Sequence, residues 1–318
     1  MNPLRHLAEA VARSVLAGPF EVEAVTAALE RARGRPFHRM AALAKKLAGT
    51  FGAGRPRLRE VADVLIESSA FRRAFRSTKS LPLLEAEPAM QPRAGPPQRW
   101  ELPAILTPPA LAEWLEISPA ELHSLAAPWR GDGERRVQHY HFHWIARRHG
   151  PPRLIEAPKM KLKTVQRRIL TGILNHIPPH SAAHGFRAGR NIVSFTAPHA
   201  GQRCVLRMDV QDFFPSLRRP RVLRVFLNAG YPEPVAALLA DLCTTITPLS
   251  IREAMPDVPP HKAWLLRKKL QSRHLPQGAP TSPALANLCA FALDARLSGL
   301  ARKFEAAYTR YADDLLFS

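Results

Sequence analysis

The sequence has little cysteine, and its three thiols are widely separated. Cys204, Cys243 and Cys289 are odd in number and stand tens of residues apart. This spacing matches neither a disulfide framework nor the closely paired ligands of a zinc site. The pattern therefore excludes a disulfide-stabilised protein and a cysteine zinc site, and it predicts a protein of a reducing compartment.

Acidic residues are scarce relative to basic ones. The chain of 318 residues has 26 Asp and Glu against 46 Lys and Arg, which gives a formal net charge of +20 at pH 7. A polyanion is the natural partner of such a chain, because neutralising phosphates releases counterions and favours binding. The alternative is a solvated basic surface on a protein from an arginine-rich, high-GC genome.

Long apolar runs are absent as well. A membrane-spanning helix needs about 20 consecutive apolar residues, and no stretch of this sequence approaches that length. The first residues interleave Arg5, Glu9 and Arg13 with apolar positions, which is not typical of a signal peptide. We therefore expect a cytoplasmic protein without a membrane partner.

Proline is abundant, and its distribution divides the chain. Eight prolines fall within residues 81–109, a density that regular helices and central strands do not tolerate. We predict a helical N-terminal extension over residues 1–80, a proline-rich linker over residues 81–106 and a larger part over residues 107–318. Two roles stay open for the extension: contact with an effector protein, or simple packing, which we favour.

Helix and hairpin signals follow the linker. Thr107-Pro108 and Ser118-Pro119 are cap and first-turn signals for two short helices. Such a pair could bind nucleic acid as a helix-turn-helix, but packing as a small bundle is favoured. The alternation from Tyr140 to Trp144, continued by Leu154-Ile155, predicts a β-hairpin. A helix is predicted next, over residues 161–175.

Two acidic segments lie inside apolar, strand-like runs. Residues 204–208 predict a buried strand that ends on Asp209, and residues 308–317 predict two strands with Asp313-Asp314 at the tip of their turn. Either segment alone is more typical of a cap, a surface acid or a turn. If the strands are neighbours, three carboxylates converge, and burying them without cations would be costly. Such a cluster suits two magnesium ions that support phosphoryl transfer.

A loop rich in glycine and proline separates these acids along the chain. Leu275-Pro276-Gln277-Gly278 continues through Ser282-Pro283 into an apolar helix that includes Leu285 and Leu297. The loop exposes backbone groups, and the start of the helix offers a positive end to an anionic ligand. A purely structural loop is equally compatible with this composition.

Taken in order, these segments resemble the palm of reverse transcriptases. The resemblance rests on Asp209 with Phe213-Phe214, on the Leu275–Gly278 loop with Ser282-Pro283, and on Tyr311-Ala312-Asp313-Asp314. Residues upstream look like the fingers of bacterial retron-type enzymes and extend the resemblance over residues 107–318: Arg147, Arg148, Arg153, Lys161 to Lys163, Gln166, Ala183 to Phe186, and Gly189-Arg190.

The resemblance implies an α+β fold, with right-hand polymerase fingers and an antiparallel palm sheet packed on helices. Family members continue beyond the Asp-Asp strand into the rest of the palm and a helical thumb. We therefore expect this chain to lack the thumb, either as a truncated product or because another polypeptide supplies the remainder.

The resemblance also implies roles for individual residues. Asp209, Asp313, Asp314 and the backbone carbonyl of Val210 would hold two magnesium ions. Phe214 would act as a steric gate that excludes a 2′-hydroxyl group and so selects deoxynucleotides. The other implied contacts are Arg147, Arg148, Arg153, Gln277 and Gly278 for the nucleotide, and Lys161, Lys163, Arg167, Arg187 and Arg190 for nucleic acid.

Two histidines stand in the finger-like region. Neither His184 nor His199 has a second ligand at metal spacing, so a packed or nucleic-acid-contacting histidine is favoured over a metal ligand. Many retron enzymes carry Asn-Ala shortly before a histidine here, whereas this chain has Phe195-Thr196. That departure leaves other defence-associated reverse transcriptases open.

The function that the resemblance implies is RNA-directed DNA polymerisation of the retron-like class, in antiphage defence. Its partners would be a structured non-coding RNA that serves as template and primer, the cDNA product, deoxynucleoside triphosphates and an effector protein. Two alternatives stay open: a catalytically inactive RNA-binding remnant, and a polymerase similar to group II intron maturases.

Overall fold

The computed structural model describes residues 3–17, 20–33, 40–51, 56–75, 90, 100–127, 138–146, 152–256 and 259–318. It divides into two compact units. One contains Met1–Arg99 with Asn228–Pro232, and the other contains Trp100–Leu227 with Glu233–Ser318. The division into an extension, a linker and a polymerase-like part stays a prediction, and most of the linker lies outside the described residues.

The first unit is built from short helices around an apolar core. They are α1 (Pro3–Ala17), α2 (Val22–Arg33), α3 (Met40–Phe51), α4 (Leu58–Glu67) and α5 (Ser69–Ala74). The helical periodicity of this region is confirmed, because one face of each helix is buried. Core residues include Val11, Leu29, Leu47, Leu65 and Phe71, all completely buried.

The second unit begins with the predicted helix pair, α6 (Pro108–Trp114) and α7 (Pro119–Ala126). The Thr107 hydroxyl accepts a hydrogen bond from the Ala110 amide at 3.3 Å, and Ser118 forms a capping box with Glu121. Both helices contact a later helix and bury Leu111 and Leu122. They pack as a small bundle, as favoured above.

The predicted hairpin is confirmed. Strand β1 (Tyr140–Ile145) pairs antiparallel with β2 (Arg153–Pro158), with Tyr140 opposite Pro158. Residues 147–151 of the turn lie outside the described residues, and the predicted nucleotide contacts Arg147 and Arg148 lie there with them.

The helix predicted over residues 161–175 is present but ends earlier. Helix α8 spans Met160–Gly172. Ile173 leaves the helical region with φ −126° and ψ −62°, and Leu174–His176 forms a 3₁₀ turn. Because a 3₁₀ turn is tighter than an α-helix, the chain changes course at this point.

The rest of the second unit wraps helices around a small sheet. The remaining elements are α9 (Ile192–Thr196), β3 (Leu206–Asp209), α10 (Phe213–Ser216), α11 (Arg219–Asn228), α12 (Glu233–Leu242), α13 (Leu249–Glu253), α14 (Pro260–Leu270), α15 (Ser282–Cys289), α16 (Phe291–Lys303), β4 (Tyr308–Tyr311) and β5 (Asp314–Phe317). Helices with two small antiparallel sheets make this an α+β architecture, as predicted.

The sheet order is β3-β5-β4, and both pairings are antiparallel. The two-strand interpretation of residues 308–317 is therefore confirmed. The expectation that the strand before Asp209 is buried is wrong: Leu206 is 54% exposed and Met208 is 40% exposed. In the described part of the chain β3 is an edge strand that pairs with β5 alone, which leaves its side chains accessible.

The apolar helix predicted after the loop is two helices. Helices α15 and α16 meet at Ala290 with a bend of 48°. Among the described residues no single helix is long and apolar enough to cross a membrane. Only the bent pair of α15 and α16, taken together, has the length and composition of such a span.

Candidate active site

The register of the β3-β5-β4 sheet brings three acidic residues to one end. Asp209 lies directly opposite Asp314, and Tyr311 faces Asp314 from the other side. Ala312 and Asp313 form the turn between β4 and β5, and the Val210 amide donates to the Asp313 carbonyl at 3.0 Å. The convergence predicted for the acidic residues is therefore present in the backbone.

Arg207 adds a cation to this end of the sheet. Its Nε and Nη2 atoms both lie 2.8 Å from Asp314 Oδ1. The hydrogen bond and charge of Asp314, with smaller contributions from Asp209 and Asp313, raise the pKa of this guanidinium above its ordinary value. Asp209 is exposed and the two other acids are half-buried, so water and ions reach the cluster.

The donor set fits magnesium in its chemistry. Carboxylate and carbonyl oxygens are the ligands that magnesium prefers, and the ion usually keeps several waters, which an accessible sheet end permits. The described residues include no group of three or more His, Cys, Asp and Glu side chains already arranged to hold a metal ion. The backbone register thus gathers the acids, while the Arg207 guanidinium satisfies Asp314.

A buried ion pair supports the acidic turn from beneath. Arg310 donates from Nε and Nη2 to the two carboxylate oxygens of Asp294, at 2.7 Å each, and both side chains are completely buried. Its Nη1 donates to the Ala312 carbonyl and to Asn287 Oδ1, at 3.0 Å each. Ala312 has φ 56°, a left-handed conformation that costs about 1–2 kcal/mol for a residue with a Cβ atom. The guanidinium therefore stabilises an unfavourable turn next to Asp313.

The segment Ala183–Phe186 lies beside this turn. Its backbone bonds to β4, because the His184 amide donates to the Arg310 carbonyl at 2.8 Å. At Gly185 an added Cβ atom would lie 2.7 Å from the Ala312 amide nitrogen. Only glycine allows the backbone to approach the turn this closely.

Two neighbouring phenylalanines differ in their surroundings. Phe213 is 4% exposed and packs in the core, beneath the Arg310 guanidinium. Phe214 is half-buried, and its ring centroid lies 6.2 Å from that of Phe186, which is itself 6.5 Å from Tyr311. An aromatic surface thus extends from Phe214 to the acidic turn.

The glycine- and proline-containing loop is held on three sides. The Leu275 amide donates to the Leu217 carbonyl at 2.9 Å, and the Gln277 carbonyl accepts from the Glu156 amide at 2.8 Å. Ser282 Oγ donates to the Pro276 carbonyl at 2.6 Å. These bonds fix the loop against β2, the strand that begins with Arg153.

Gly278 is required by the same packing. Its φ is +126°, and an added Cβ atom would lie 3.2 Å from Ile155 Cγ2 and 3.3 Å from the Glu156 carbonyl oxygen. Both the conformation and the close approach exclude a larger residue. The structure therefore brings Gln277 and Gly278 next to the strand that carries Arg153.

Comparison with known proteins adds an independent observation. The model of the family described as "Reverse transcriptase (RNA-dependent DNA polymerase)" matches residues 145–318, which is more than half of the chain. The chain belongs to the reverse transcriptase family. The matched range contains the acidic turn, Asp209 and the Gln277 loop.

Its curated relatives are retron enzymes, which confirms the retron-type resemblance. Retron Mx65 reverse transcriptase of Myxococcus xanthus is 37% identical over 289 residues, covering 89% of this chain and 62% of the relative. Retron Mx162 reverse transcriptase of the same organism is 39% identical over 209 residues, covering 66% and 41%. Retron Ec86 reverse transcriptase of Escherichia coli is 35% identical over 166 residues, covering 52% and 44%. The chain thus spans less than two thirds of the length of these relatives.

The basic residues assigned to nucleic acid differ in their exposure in this reverse transcriptase. Arg167 and Arg190 are exposed, while Lys163 and Arg187 are half-buried, and Arg187 donates to the His180 carbonyl at 3.3 Å. Lys161 forms an ion pair with Glu121, which lowers the pKa of that carboxyl to about 2. Lys161 is therefore less available to phosphate than Arg167 and Arg190.

Both histidines are packed. His184 is 4% exposed, and its Nδ1 lies 2.9 Å from Ser194 Oγ. His199 is 6% exposed and sits 2.8 Å from both Ser318 Oγ and Thr309 Oγ1. Burial lowers the pKa of each imidazole. The preference for a packed role over a metal ligand is therefore consistent with the contacts of both rings.

Sequence reasoning missed several residues that shape this site. Arg207 could have been found, because it precedes Asp209 by two residues in a strand and so shares its face. Asp294 and Arg310 carry no local signal, since they meet only in the folded chain.

Proposed function

We propose that this protein is an RNA-directed DNA polymerase of the retron type, which adds deoxynucleotides to a primer on a structured RNA template. The observation that carries the proposal is the register of the palm-like sheet. Asp209 lies opposite Asp314, and Asp313 lies in the adjoining turn. Three acids at one accessible sheet end suit phosphoryl transfer, which depends mainly on positioning and charge neutralisation.

In this proposal two magnesium ions are held by Asp209, Asp313, Asp314 and the Val210 carbonyl. When bound, they supply activation of the primer 3′-hydroxyl and neutralisation of the triphosphate charge. The chain contributes the fixed spacing of the carboxylates, because β3 and β5 are hydrogen-bonded up to the Asp209 and Asp314 pair. Because Arg207 contacts Asp314 Oδ1, a cation at this carboxylate would compete with the guanidinium.

The incoming deoxynucleotide lies between the loop and β2. Gln277 and Gly278 line this pocket, and Arg153, with Arg147 or Arg148, binds the triphosphate because a planar guanidinium matches phosphate oxygens. Phe214 acts as the steric gate beneath the sugar. Its half-buried ring lies next to the exposed Phe186, which in turn approaches Tyr311, and this arrangement supports the role.

The template is a structured RNA, bound mainly through backbone charge and duplex shape. The net charge of +20 and the exposure of Arg167 and Arg190 support this mode of RNA binding. The other proposed nucleic-acid contacts are Lys161, Lys163 and Arg187. The cDNA product shares this surface. An effector partner, a role in antiphage defence and action in the cytoplasm belong to the proposal on the strength of the resemblance.

Primer extension by the full-length gene product tests the proposal. We expect incorporation of deoxynucleotides on an RNA template with magnesium, and a loss of at least about 100-fold in Asp313→Asn, since a metal-binding carboxylate is removed. The matched control is Asp63→Asn, which alters an exposed acid on α4. RNA binding without any incorporation by the wild-type protein, or full incorporation by Asp313→Asn, would overturn it.

A further inference from the structure

A second buried ion pair lies behind the glycine-containing loop. Glu156 on β2 is 1% exposed and His274 is completely buried. His274 Nε2 lies 2.8 Å from Glu156 Oε2, and the Thr247 hydroxyl donates to Glu156 Oε1 at 2.7 Å. Both carboxylate oxygens are therefore hydrogen-bonded, although Glu156 and His274 are 118 positions apart along the chain.

The contacts of His274 identify its protonation state. Nδ1 lies 2.7 Å from the Ser272 carbonyl, which can only accept, so Nδ1 carries a proton. Nε2 faces a carboxylate and carries a proton for the same reason. Burial opposes the charge, but Glu156 and the Ser272 carbonyl outweigh it and raise the pKa of this imidazole. Below that raised pKa the contacts fit an imidazolium paired with a carboxylate.

Other charged and titratable groups surround the pair. Arg218 opposes the charge on His274. Tyr140 on β1 faces Glu156, and burial, as the main cause, raises the pKa of that phenol. Neither residue supplies a competing negative charge at neutral pH. Glu156 is therefore the group that determines whether His274 stays protonated.

Glu156 holds the loop at two points. Its carboxylate binds the His274 ring, and its backbone amide donates to the Gln277 carbonyl at 2.8 Å. The His274 backbone is fixed in turn by two hydrogen bonds with Thr245, at 2.9 and 3.0 Å. The short segment from His274 to Gln277 is therefore clamped to the strand that begins with Arg153.

We propose that Glu156 and His274 are positioning residues, whose ion pair fixes the Gln277 and Gly278 loop relative to Arg153 and is released as His274 loses its proton. The proposal rests on the proposed function for what the loop binds. A buried ion pair is weak evidence for stability, because well-packed apolar residues often replace one without loss. The ion pair and the backbone amide of Glu156 bind the two ends of one loop segment, and this arrangement favours positioning.

The direction of the pH effect follows from linkage. A group whose pKa is raised by folding stabilises the folded state fully at pH values below its unfolded pKa, which is near 6.5 for histidine. This stabilisation is lost as the pH rises through the raised pKa. Neutral His274 donates from only one ring nitrogen, so it would lose either its bond to Glu156 or its bond to the Ser272 carbonyl. The loop should loosen on the alkaline side and hold on the acidic side.

Two substitutions separate charge from shape. Glu156→Gln is a neutral isostere that can donate to the Nε2 atom of a neutral His274 while still accepting from Thr247, so every bond is kept without charge. Glu156→Ala removes the ion pair with His274 but keeps the backbone bond to Gln277. Leu239→Ala serves as the control, because Leu239 on α12 is completely buried and its truncation destabilises the core.

The first measurement does not depend on polymerisation. Hydrogen exchange of the peptide that contains Gln277 and Gly278 should be about 10-fold faster in Glu156→Ala than in wild type at neutral pH, a local opening rather than global unfolding. Glu156→Gln and Leu239→Ala should exchange as wild type in that peptide. Faster exchange in Leu239→Ala, or wild-type exchange in Glu156→Ala, would overturn the proposal.

The second measurement uses primer extension between about pH 6 and about pH 9. In wild type the KM for deoxynucleotide should rise towards alkaline pH, while kcat changes less than KM. Glu156→Ala should raise KM about 10-fold at every pH, as a misplaced positioning group does. Glu156→Gln should abolish the rise in KM at alkaline pH.

If the rise in KM persisted in Glu156→Gln, another group would cause it, and the proposed pH dependence would be overturned. Altered exchange with no polymerisation in any variant would count against the proposed function alone.

Discussion

Arg310 binds both carboxylate oxygens of Asp294 at 2.7 Å, and the same guanidinium reaches the carbonyl of Ala312, the residue before Asp313. The Tyr308 hydroxyl donates to Asp294 at 2.8 Å, and burial raises the pKa of this phenol. One network therefore joins α16, β4 and the acidic turn. Its members position the turn, while the acids of the turn perform the proposed chemistry.

Substituting Arg310 by lysine should destabilise the protein strongly. A lysine ammonium cannot reproduce the two parallel bonds to Asp294 and the bond to Ala312, and a buried carboxylate left poorly paired costs about 3–5 kcal/mol. Urea denaturation should show this fall in the free energy of unfolding. Arg5→Lys is the control, because its pair with Asp63 is exposed and is worth about 0–1 kcal/mol. Equal losses in both variants would contradict the assigned role of the buried network.

Local patterns in the sequence were sufficient to predict the acidic hairpin. Asp313-Asp314 interrupts an apolar run at its midpoint, which is a turn signal, and the strand before Asp209 is marked by its apolar residues. The exposure of that strand could not be predicted, because burial depends on how many neighbours a strand has in the sheet. Pairing of Asp209 with Asp314 also depends on register, and a slip of one residue would turn the side chains to opposite faces.

Contacts distant along the chain were beyond local prediction. The residues next to Glu156 and His274 do not indicate an ion pair, because the two side chains meet only where β2 approaches the loop. The end of α8 was predicted too late for a related reason. Gly172 is the last residue of α8, and an added Cβ atom there would lie 2.6 Å from the Trp114 ring of α6, a contact that the local pattern does not indicate.

Adding a single methyl group at Gly185 should impair catalysis more than stability. In Gly185→Ala the new Cβ atom meets the Ala312 backbone nitrogen at 2.7 Å, and the turn that carries Asp313 has to shift. Displacement of a reacting group by a fraction of an ångström costs roughly 10-fold or more in rate. Primer extension measures this loss, and circular dichroism checks that the fold persists.

The matched control for that substitution is Gly49→Ala. Gly49 lies within α3, and no atom is within 4 Å of an added Cβ. Alanine in a helix interior is about 0.5–1 kcal/mol more favourable than glycine, so this variant should be slightly more stable and equally active. Full activity in Gly185→Ala would show that the close approach to Ala312 has no catalytic consequence.

Removing the Phe214 ring should weaken discrimination against ribonucleotides. With Phe214→Ala we expect the ratio of kcat/KM for deoxynucleotide over ribonucleotide to fall by about 10-fold to 100-fold, because space for the 2′-hydroxyl opens. Competition between the two nucleotides in primer extension measures the ratio.

Its neighbour supplies a contrasting variant. Phe213 is 4% exposed, so Phe213→Ala should cost about 3–5 kcal/mol of stability through the cavity it leaves, without a change in nucleotide preference. If Phe213→Ala changed the preference and Phe214→Ala did not, the steric gate would have to be reassigned.

Removing the Arg207 cation should strengthen binding of divalent metal at the sheet end. Arg207 Nε lies 2.8 Å from Asp314 Oδ1, and its positive charge also acts on Asp209 and Asp313. In Arg207→Gln the carboxylates lose a competing cation, so the magnesium concentration for half-maximal extension should fall. The guanidinium is 70% exposed, so solvent screens the pair and the fall in the required magnesium concentration should be small. Calorimetric titration of the protein with magnesium provides a second measurement.

The control is Arg203→Gln, which removes another exposed charge four residues earlier and should leave the magnesium dependence unchanged. An increased magnesium requirement in Arg207→Gln would mean that Arg207 assists the acids instead of competing for Asp314.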